Sequence, residues 1–96
     1  MRRCYNCYGT TLGYVDANII YDASNNAVGF YDGNTIYNNY GYRLGYYDNN
    51  RFYDNYDGYA GYLYGNGVYN NSNYYVGYTD TAFDWLLAAA LLFLLL

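Results

Sequence analysis

Residues 45–60 read GYYDNNRFYDNYDGYA, and this stretch decides the fold because it is one copy of a 16-residue repeat. Each copy begins at a glycine, and these glycines are Gly13, Gly29, Gly45, Gly61 and Gly77. The spacing defines four full units, at residues 13–28, 29–44, 45–60 and 61–76, preceded by a half unit at residues 4–12. A fixed period of this length indicates an architecture that repeats one supersecondary element.

Columns of aromatic and apolar residues show where the strands of each unit lie. The second residue of the unit is always aromatic, at Tyr14, Phe30, Tyr46, Tyr62 and Tyr78. The eighth residue is apolar, at Ile20, Ile36, Phe52 and Val68. A helical period of about 3.6 residues does not fit this spacing, whereas strands of about four or five residues joined by tight turns do.

Two further columns hold residues typical of turns. The sixth residue of the unit is Asn18, Asn34, Asn50 or Asn66, and the thirteenth is Asn25, Gly41, Asp57 or Asn73. Asn, Gly and Asp share a tolerance of the left-handed backbone that a tight hairpin requires. A catalytic column would keep one functional group, so we interpret these eight residues as turn-forming. We therefore predict an all-β fold of antiparallel, short-strand hairpin repeats over residues 1–79.

A flattened β-solenoid is the alternative fold, with each 16-residue unit forming one rung and the columns stacking at about 4.8 Å. Hairpins are favoured because Asp-x-Asn turns suit them better. The repeated glycine lies in mid-strand, where its bare backbone needs a cover. We expect the tyrosine at position nine of the unit, on the neighbouring strand, to supply that cover.

The run GYVDANIIYDASNNAVGFYDGNTIYNNYGYRLGYYDNNRFYDNYDGYAGY, residues 13–62, resembles the four-fold β-flower family of small bacterial proteins. Those proteins similarly join glycine–aromatic, turn, I/V-Y-D, turn and apolar–glycine segments. The resemblance implies an antiparallel β-repeat fold with four-fold organisation, and it carries no activity over to this chain. After Tyr62 the chain departs from the family pattern of a Pro-rich tail, because a fourth unit and a Leu-rich tail follow.

The composition limits the partners that this chain can have. The 96 residues suffice for one small domain, and the formal net charge of −4 comes from eight Asp and four Arg. We expect no binding to nucleic acid, because neutralising phosphates requires clustered cations. The alphabet is narrow, with 19 Tyr, 11 Gly and no His or Pro, which indicates either a duplicated repeat or an artificial sequence.

Few residues in this chain could support catalysis or bind a metal. The absence of His excludes Ser–His and Cys–His pairs. Cys4 and Cys7 have C-x-x-C spacing, but two Cys cannot complete a tetrahedral zinc site. Because Cys4 falls in the apolar column, we expect a buried hydrophobe followed by a turn residue; an intermolecular disulfide or a shared metal stays open. The Asp-rich turns lack the spacing of a calcium loop. We predict no catalytic residue, metal or cofactor, and a protein that is not an enzyme.

Residues 80–96 form a second segment, which we predict to be a hydrophobic C-terminal helix. The stretch at residues 82–96 is apolar on all sides, so it cannot be an ordinary surface helix. Its length as a helix, about 22 Å, is short of the bilayer core of about 30 Å. Three interpretations remain open: a membrane anchor, a bundle of tails inside an oligomer, or the degenerate end of an artificial sequence. The candidate membrane or oligomer contacts are Trp85, Leu86, Leu87, Leu91, Leu92 and Phe93.

The sequence favours a non-enzymatic structural or scaffolding module that assembles with copies of itself. We expect a homotetramer; association with a membrane through residues 82–96 is one of the open interpretations of the tail. One alternative is a carbohydrate- or surface-binding module that uses exposed Tyr and Asn. Another is a filamentous or amyloid-like matrix protein, favoured by low charge, Tyr-rich strands and the absence of Pro.

Overall fold

The computed structural model describes residues 2–96, and its strands close into one antiparallel barrel. The strands are β1 (Arg2–Asn6), β2 (Thr11–Asp16), β3 (Ile19–Asp22), β4 (Ala27–Asp32), β5 (Thr35–Asn38), β6 (Arg43–Asp48), β7 (Arg51–Asp54), β8 (Tyr59–Tyr64), β9 (Gly67–Asn70) and β10 (Tyr75–Thr79). Each strand pairs with its neighbours in the chain, and β10 pairs with β1. The predicted all-β hairpin fold is confirmed, and the solenoid alternative is wrong because the two strands of a unit pair with each other.

The two ends of the chain together make one further repeat. Within a unit, Gly13 pairs with Asp22 and Tyr14 with Tyr21. Strands β10 and β1 have the same register, with Gly77 opposite Asn6 and Tyr78 opposite Tyr5. The half unit at the start of the chain therefore completes the unit that begins at Gly77. The repeat occurs five times around the barrel, one more than the count of full units in the sequence.

The C-terminal tail lies inside the barrel. Helix α1 (Trp85–Ala90) continues as a π-helical segment (Leu91–Leu95). Eleven residues of helix are about 16 Å long, close to the 18 Å thickness of the molecule. An eight-stranded barrel is filled by its own side chains, and the lumen widens with strand number. Ten strands leave space for a slender helix, which explains why the buried part of α1 contains Ala88, Ala89 and Ala90.

Five consecutive side chains of the tail rest on the five repeat glycines. A Cβ built on Gly29 would lie 2.6 Å from Cδ1 of Leu94 and would overlap the backbone oxygen of Tyr37. The remaining pairs around the barrel are Gly77 with Leu91, Gly61 with Leu92, Gly45 with Phe93, and Gly13 with Leu95. An α-helix turns about 100° per residue, whereas one repeat of a five-fold barrel spans about 72°. The wider π-helix reduces this mismatch, so each side chain meets its own repeat.

Aromatic rings pair on the outer wall and do not cover the glycines. The rings of Tyr62 and Tyr69 stack with centroids 4.8 Å apart. The four equivalent stacks are Tyr5–Tyr78, Tyr14–Tyr21, Phe30–Tyr37 and Tyr46–Tyr53. The expectation that the tyrosine at position nine covers the glycine is therefore wrong. Successive residues of a strand point to opposite faces, so this tyrosine points outward while the bare side of the glycine faces the tail.

The predicted contact residues of the tail lie against the barrel interior. Leu87 and Leu91 are fully buried, whereas Trp85, Leu86, Leu92 and Phe93 are partly buried and pack against the core. A helix that is apolar all round needs apolar surroundings on every side, and the barrel wall supplies them within one chain. In residues 2–96, no helix has both the length and the apolar character needed to cross a bilayer.

The start of the tail is tied to the start of the chain. A carboxylate oxygen of Asp84 caps helix α1 by accepting a hydrogen bond from the backbone N–H of Leu87 at 3.3 Å. The other carboxylate oxygen lies 2.8 Å from Nε of Arg2 in β1. This ion pair holds the first strand and the first turn of the helix together at one end of the barrel.

Five similar loops close the opposite end of the barrel, which we call the loop end. Each begins with an Asn or Asp whose Oδ1 accepts hydrogen bonds from the backbone N–H groups two and four residues later, at 2.8–3.1 Å. These capping residues are Asn6, Asp22, Asn38, Asp54 and Asn70. The fourth residue of each loop has positive φ, at Gly9, Asn25, Gly41, Asp57 and Asn73. Local side-chain bonds of this kind fix a chain reversal without tertiary contacts.

Two-residue loops close the other end of the barrel, which we call the turn end. Their second residues are Asn18, Asn34, Asn50 and Asn66. The carbonyl oxygens of these residues accept hydrogen bonds from the following unit, at Tyr31, Tyr47, Leu63 and Thr79, over 2.9–3.0 Å. Each tight turn therefore also links neighbouring units.

Replacing a repeat glycine by alanine tests the contact between the tail and the strands. We expect Gly29→Ala to lower the free energy of unfolding by about 3 kcal/mol, because the new methyl group meets a backbone oxygen and Leu94. Gly67→Ala is the matched control within a strand, since its Cβ would approach atoms no closer than 3.3 Å; we expect it to stay within about 1 kcal/mol. Urea denaturation measures both, and equal effects would contradict the proposed role of the repeat glycines.

The loop hydrogen bonds predict an acid-sensitive contribution to stability. The backbone N–H of Asn26, helped by that of Ser24, lowers the pKa of Asp22 below its ordinary value. A lowered pKa in the folded state means that the stabilisation is complete above pH about 4 and is lost as pH falls through the folded-state pKa. In Asp22→Asn the acceptor stays, as at Asn38 and Asn70, but nothing titrates. We expect thermal unfolding of this variant to depend less on pH between about 5 and about 2; an unchanged dependence would contradict the assignment.

Candidate functional site

A groove crosses the outer wall of the barrel over strands β7 and β8. Its main part has a volume of about 460 Å³, and an adjoining part of about 420 Å³ shares Arg51 and Tyr59 with it. The groove is lined by Asn49, Asn50, Arg51, Tyr53, Tyr59, Tyr62, Leu63 and Tyr64. We call it the Arg51 groove. Of the turn-forming residues predicted from the sequence, Asn50 lies in this groove.

Strand register brings these side chains to one face. Arg51 pairs with Tyr62, and Tyr53 pairs with Tyr59. The intervening side chain of Phe52 points inward and is fully buried, so Arg51 and Tyr53 point outward. The register shifts by one residue between Phe52 and Tyr53, which marks a β-bulge in β8. The bulge lets Tyr59 share the outer face with Tyr62.

One exposed position of the repeat changes character at this groove, and a second, variable position carries a cation here. The fourth residue of the unit is Asp16, Asp32, Asp48 and Asp80 elsewhere around the barrel, but Tyr64 here. The seventh position varies around the barrel: it is Ile19, Thr35 and Gly67 in the other full units, Arg3 in the unit that the two chain ends complete, and Arg51 here. The side chains of Tyr64 and Arg51 are both exposed. The structure thus places Tyr64, a departure from the repeat, in the same groove as Arg51.

Ring stacking makes the floor of the groove rigid. Tyr62 lies nearly parallel to Tyr69, with 6° between the ring planes. Tyr53 meets Tyr59 edge to face with centroids 6.2 Å apart. Tyr64 projects from the rim and is 75% exposed. The groove therefore offers fixed aromatic surfaces below and an accessible ring at its edge.

Arg51 differs from the arginines that take part in internal contacts. Arg2 pairs with Asp84, while Arg43 lies over the ring of Tyr46 and donates to Asn55. Asp48 is the cross-strand neighbour of Arg51. Within residues 2–96, however, the guanidinium of Arg51 has no carboxylate within ion-pair distance. Its donors remain available for a ligand.

Comparison with known proteins identifies the family. The model of the family described as the 5-fold beta-flower protein matches residues 2–95. The chain belongs to the 5-fold β-flower family. The four-fold family inferred by resemblance was of the same kind but had the wrong symmetry, because β1 and β10 combine into a fifth repeat. Neither the curated proteins nor the solved structures contain a match to this chain.

The two cysteines of this β-flower barrel occupy different environments. Cys4 points into the interior, where its Sγ lies 3.8 Å from the backbone oxygen of Gly13. Burial raises the pKa of the Cys4 thiol to about 12, so the thiol stays protonated and is a poor nucleophile. Cys7 is exposed on the first loop of the loop end. Both thiols are free, and across residues 2–96 no three metal-binding side chains come together.

The loop end of the β-flower barrel carries a second exposed aromatic surface, the loop-end tyrosines. Tyr8, Tyr40 and Tyr56 occupy the third position of three loops and are 85–89% exposed. Tyr42 and Tyr74 occupy the fifth position of two loops and are 68–70% exposed. Their loops are held by hydrogen bonds to Asx side chains, so the backbone that presents these rings is ordered.

Proposed function

We propose that this small repeat protein is a non-enzymatic module that binds saccharides in the Arg51 groove. The observation that supports the proposal is the local loss of the repeat pattern at the fourth position, where Tyr64 replaces an Asp and lines the groove together with Arg51. A sugar ring has an apolar face of C–H groups and an edge of hydroxyls. The rings of Tyr59, Tyr62 and Tyr64 can stack on the face, and the side chains of the loop Asn49-Asn50 can bind the hydroxyls.

The shape of the groove agrees with this class of ligand. Its volume of about 460 Å³ falls within the range of about 300–1,000 Å³ that is usual for small-molecule sites. Paired strands hold the groove, so little conformational entropy is lost when a ligand binds. The groups that line it are phenols, amides and one guanidinium, which supply stacking and hydrogen bonds. Such groups suit recognition better than bond cleavage.

Titration with neutral oligosaccharides tests this proposal. We expect Tyr64→Ala to weaken binding about tenfold, because stacking on one aromatic ring contributes about 1 kcal/mol or more. Tyr40→Ala is the matched control, since Tyr40 is similarly exposed but lies at the loop end; it should leave the affinity unchanged. Heteronuclear NMR titration of the whole chain gives the affinity and locates the shifts. Shifts confined to the loop end, or equal effects of the two variants, would place binding elsewhere.

Self-assembly into a scaffold, predicted from the sequence as a homotetramer, is a second candidate function. The loop-end tyrosines favour it, since exposed aromatic residues clustered at one end of a molecule are typical of interaction surfaces. Burial of the tail within the barrel removes the need for lipid or for neighbouring tails to cover it. Closure of the barrel pairs both edges of the sheet, which argues against growth of a filament through strand edges.

The mass of the protein in solution separates these candidates. If the loop-end tyrosines drive assembly, the triple variant Tyr8→Ser, Tyr40→Ser, Tyr56→Ser should convert an oligomer to a monomer. Serine suits this position because Ser24 and Ser72 occupy it in two other loops. Light scattering at about 100 μM detects association of micromolar or tighter affinity. A monomeric unmodified chain at that concentration would contradict the tetramer.

A further inference from the structure

The outer wall near the turn end carries a ring of carboxylates with one gap. Asp16, Asp32, Asp48 and Asp80 occupy the fourth position of their units, and all four are exposed. The fifth member of the ring is Tyr64. The chain as a whole has a net charge of −4, so an anionic ligand is repelled over most of the surface. The β7–β8 wall is where this repulsion is reduced.

The position where the ring lacks a carboxylate, Tyr64, lies near the cation Arg51. Arg51 lies opposite Tyr62, so the next outward residue of β8 along the wall is Tyr64. A phenol on this side leaves the charge of Arg51 uncompensated there, whereas a carboxylate at the same place would offset part of it. Asp48 flanks Arg51 on the other side only. An anionic group therefore meets less repulsion here than at the other positions of the ring.

Arg3 provides an internal comparison for Arg51. It occupies the same position of its unit and lies opposite Tyr14, just as Arg51 lies opposite Tyr62. Its neighbours are Asp80, which accepts a hydrogen bond from the Arg3 backbone N–H at 3.0 Å, and Asp16, two residues after Tyr14. Arg3 is thus placed between two carboxylates, while Arg51 is placed between one carboxylate and Tyr64.

We propose that the Arg51 groove is selective for saccharides that carry a carboxylate, and that Arg51 binds this group; the inference rests on the proposed saccharide-binding function. The planar guanidinium can donate two parallel hydrogen bonds to a carboxylate. The neighbouring Tyr59 and Tyr62 rings lie where the sugar ring that bears the acid would stack. A uronic acid combines these two features, a carboxylate and a stackable ring.

The test compares trigalacturonate with its neutral methyl ester by calorimetry on the whole chain. We expect the acid to bind about tenfold more tightly than the ester, as one charge-assisted hydrogen-bonded contact implies. Arg51→Gln should abolish this preference, and Arg51→Lys should retain part of it. Arg3→Gln, the matched control, should retain the full preference.

An independent test returns the fourth position of this unit to the aspartate that the other repeats carry, and it uses a matched pair of variants. Tyr64→Asp and Tyr64→Asn remove the same ring and differ only in charge. We expect the acid-to-ester preference to be several-fold lower in the aspartate variant than in the asparagine variant. Because Tyr64 is largely exposed, both variants should keep the circular dichroism spectrum of the unmodified chain.

The outcomes separate the two proposals. Equal binding of acid and ester, sensitive to Tyr64→Ala, overturns the acid selectivity and leaves the saccharide-binding function standing. Binding of neither probe overturns both. A preference that survives Arg51→Gln overturns the role of Arg51, and triglutamate binding as tightly as trigalacturonate would show that the groove recognises acidic peptides instead.

Discussion

The contact between five consecutive tail side chains and five strand glycines is the constraint on which the rest of the structure depends. A barrel of ten strands encloses a lumen that its own side chains do not fill, so an internal helix is needed. The helix fits only where the wall presents bare backbone, and each of Leu91, Leu92, Phe93, Leu94 and Leu95 rests on one such place. The invariance of the glycine and the widening of the helix at its end are two consequences of this one fit.

Because the tail fills the interior of the barrel, the outward-facing side chains of the strands can differ from one repeat to the next. The stacked aromatic pairs and the Asx-capped loops repeat around the barrel because each stabilises a hairpin locally. The side chains of Tyr64 and Arg51, at the fourth and seventh positions of their units, are exposed and carry no such duty. Tyr64 departs from the repeated Asp, and Arg51 is one of several residue types found at the seventh position. In this repeat fold, the residues that stabilise the scaffold and the residues that can form a binding site therefore occupy different positions of the unit.

The sequence predicted the hairpins well because their signals are local. Alternating apolar columns indicate strands, and residues such as Asn25 and Asp57 occur where the backbone has positive φ. The Arg51 groove was missed, although its signal was present: Tyr64 interrupts a column of aspartates. A substitution at one exposed position leaves the 16-residue period unchanged, so the period does not reveal it. That Arg51 lies beside Tyr62 and Tyr64 depends on pairing between neighbouring units, which the spacing of one unit does not specify.

By itself, the sequence determined a ribbon of short strands that reverses direction at fixed intervals, because turn chemistry and strand patterning act within a few residues. Only the tertiary structure decided that the ribbon closes after five repeats, since closure requires Cys4 to pair with Thr79 from the opposite end of the chain. It also decided where the apolar tail lies. A helix that is apolar on every side requires apolar surroundings, but only the dimensions of the closed barrel show that this chain provides them itself.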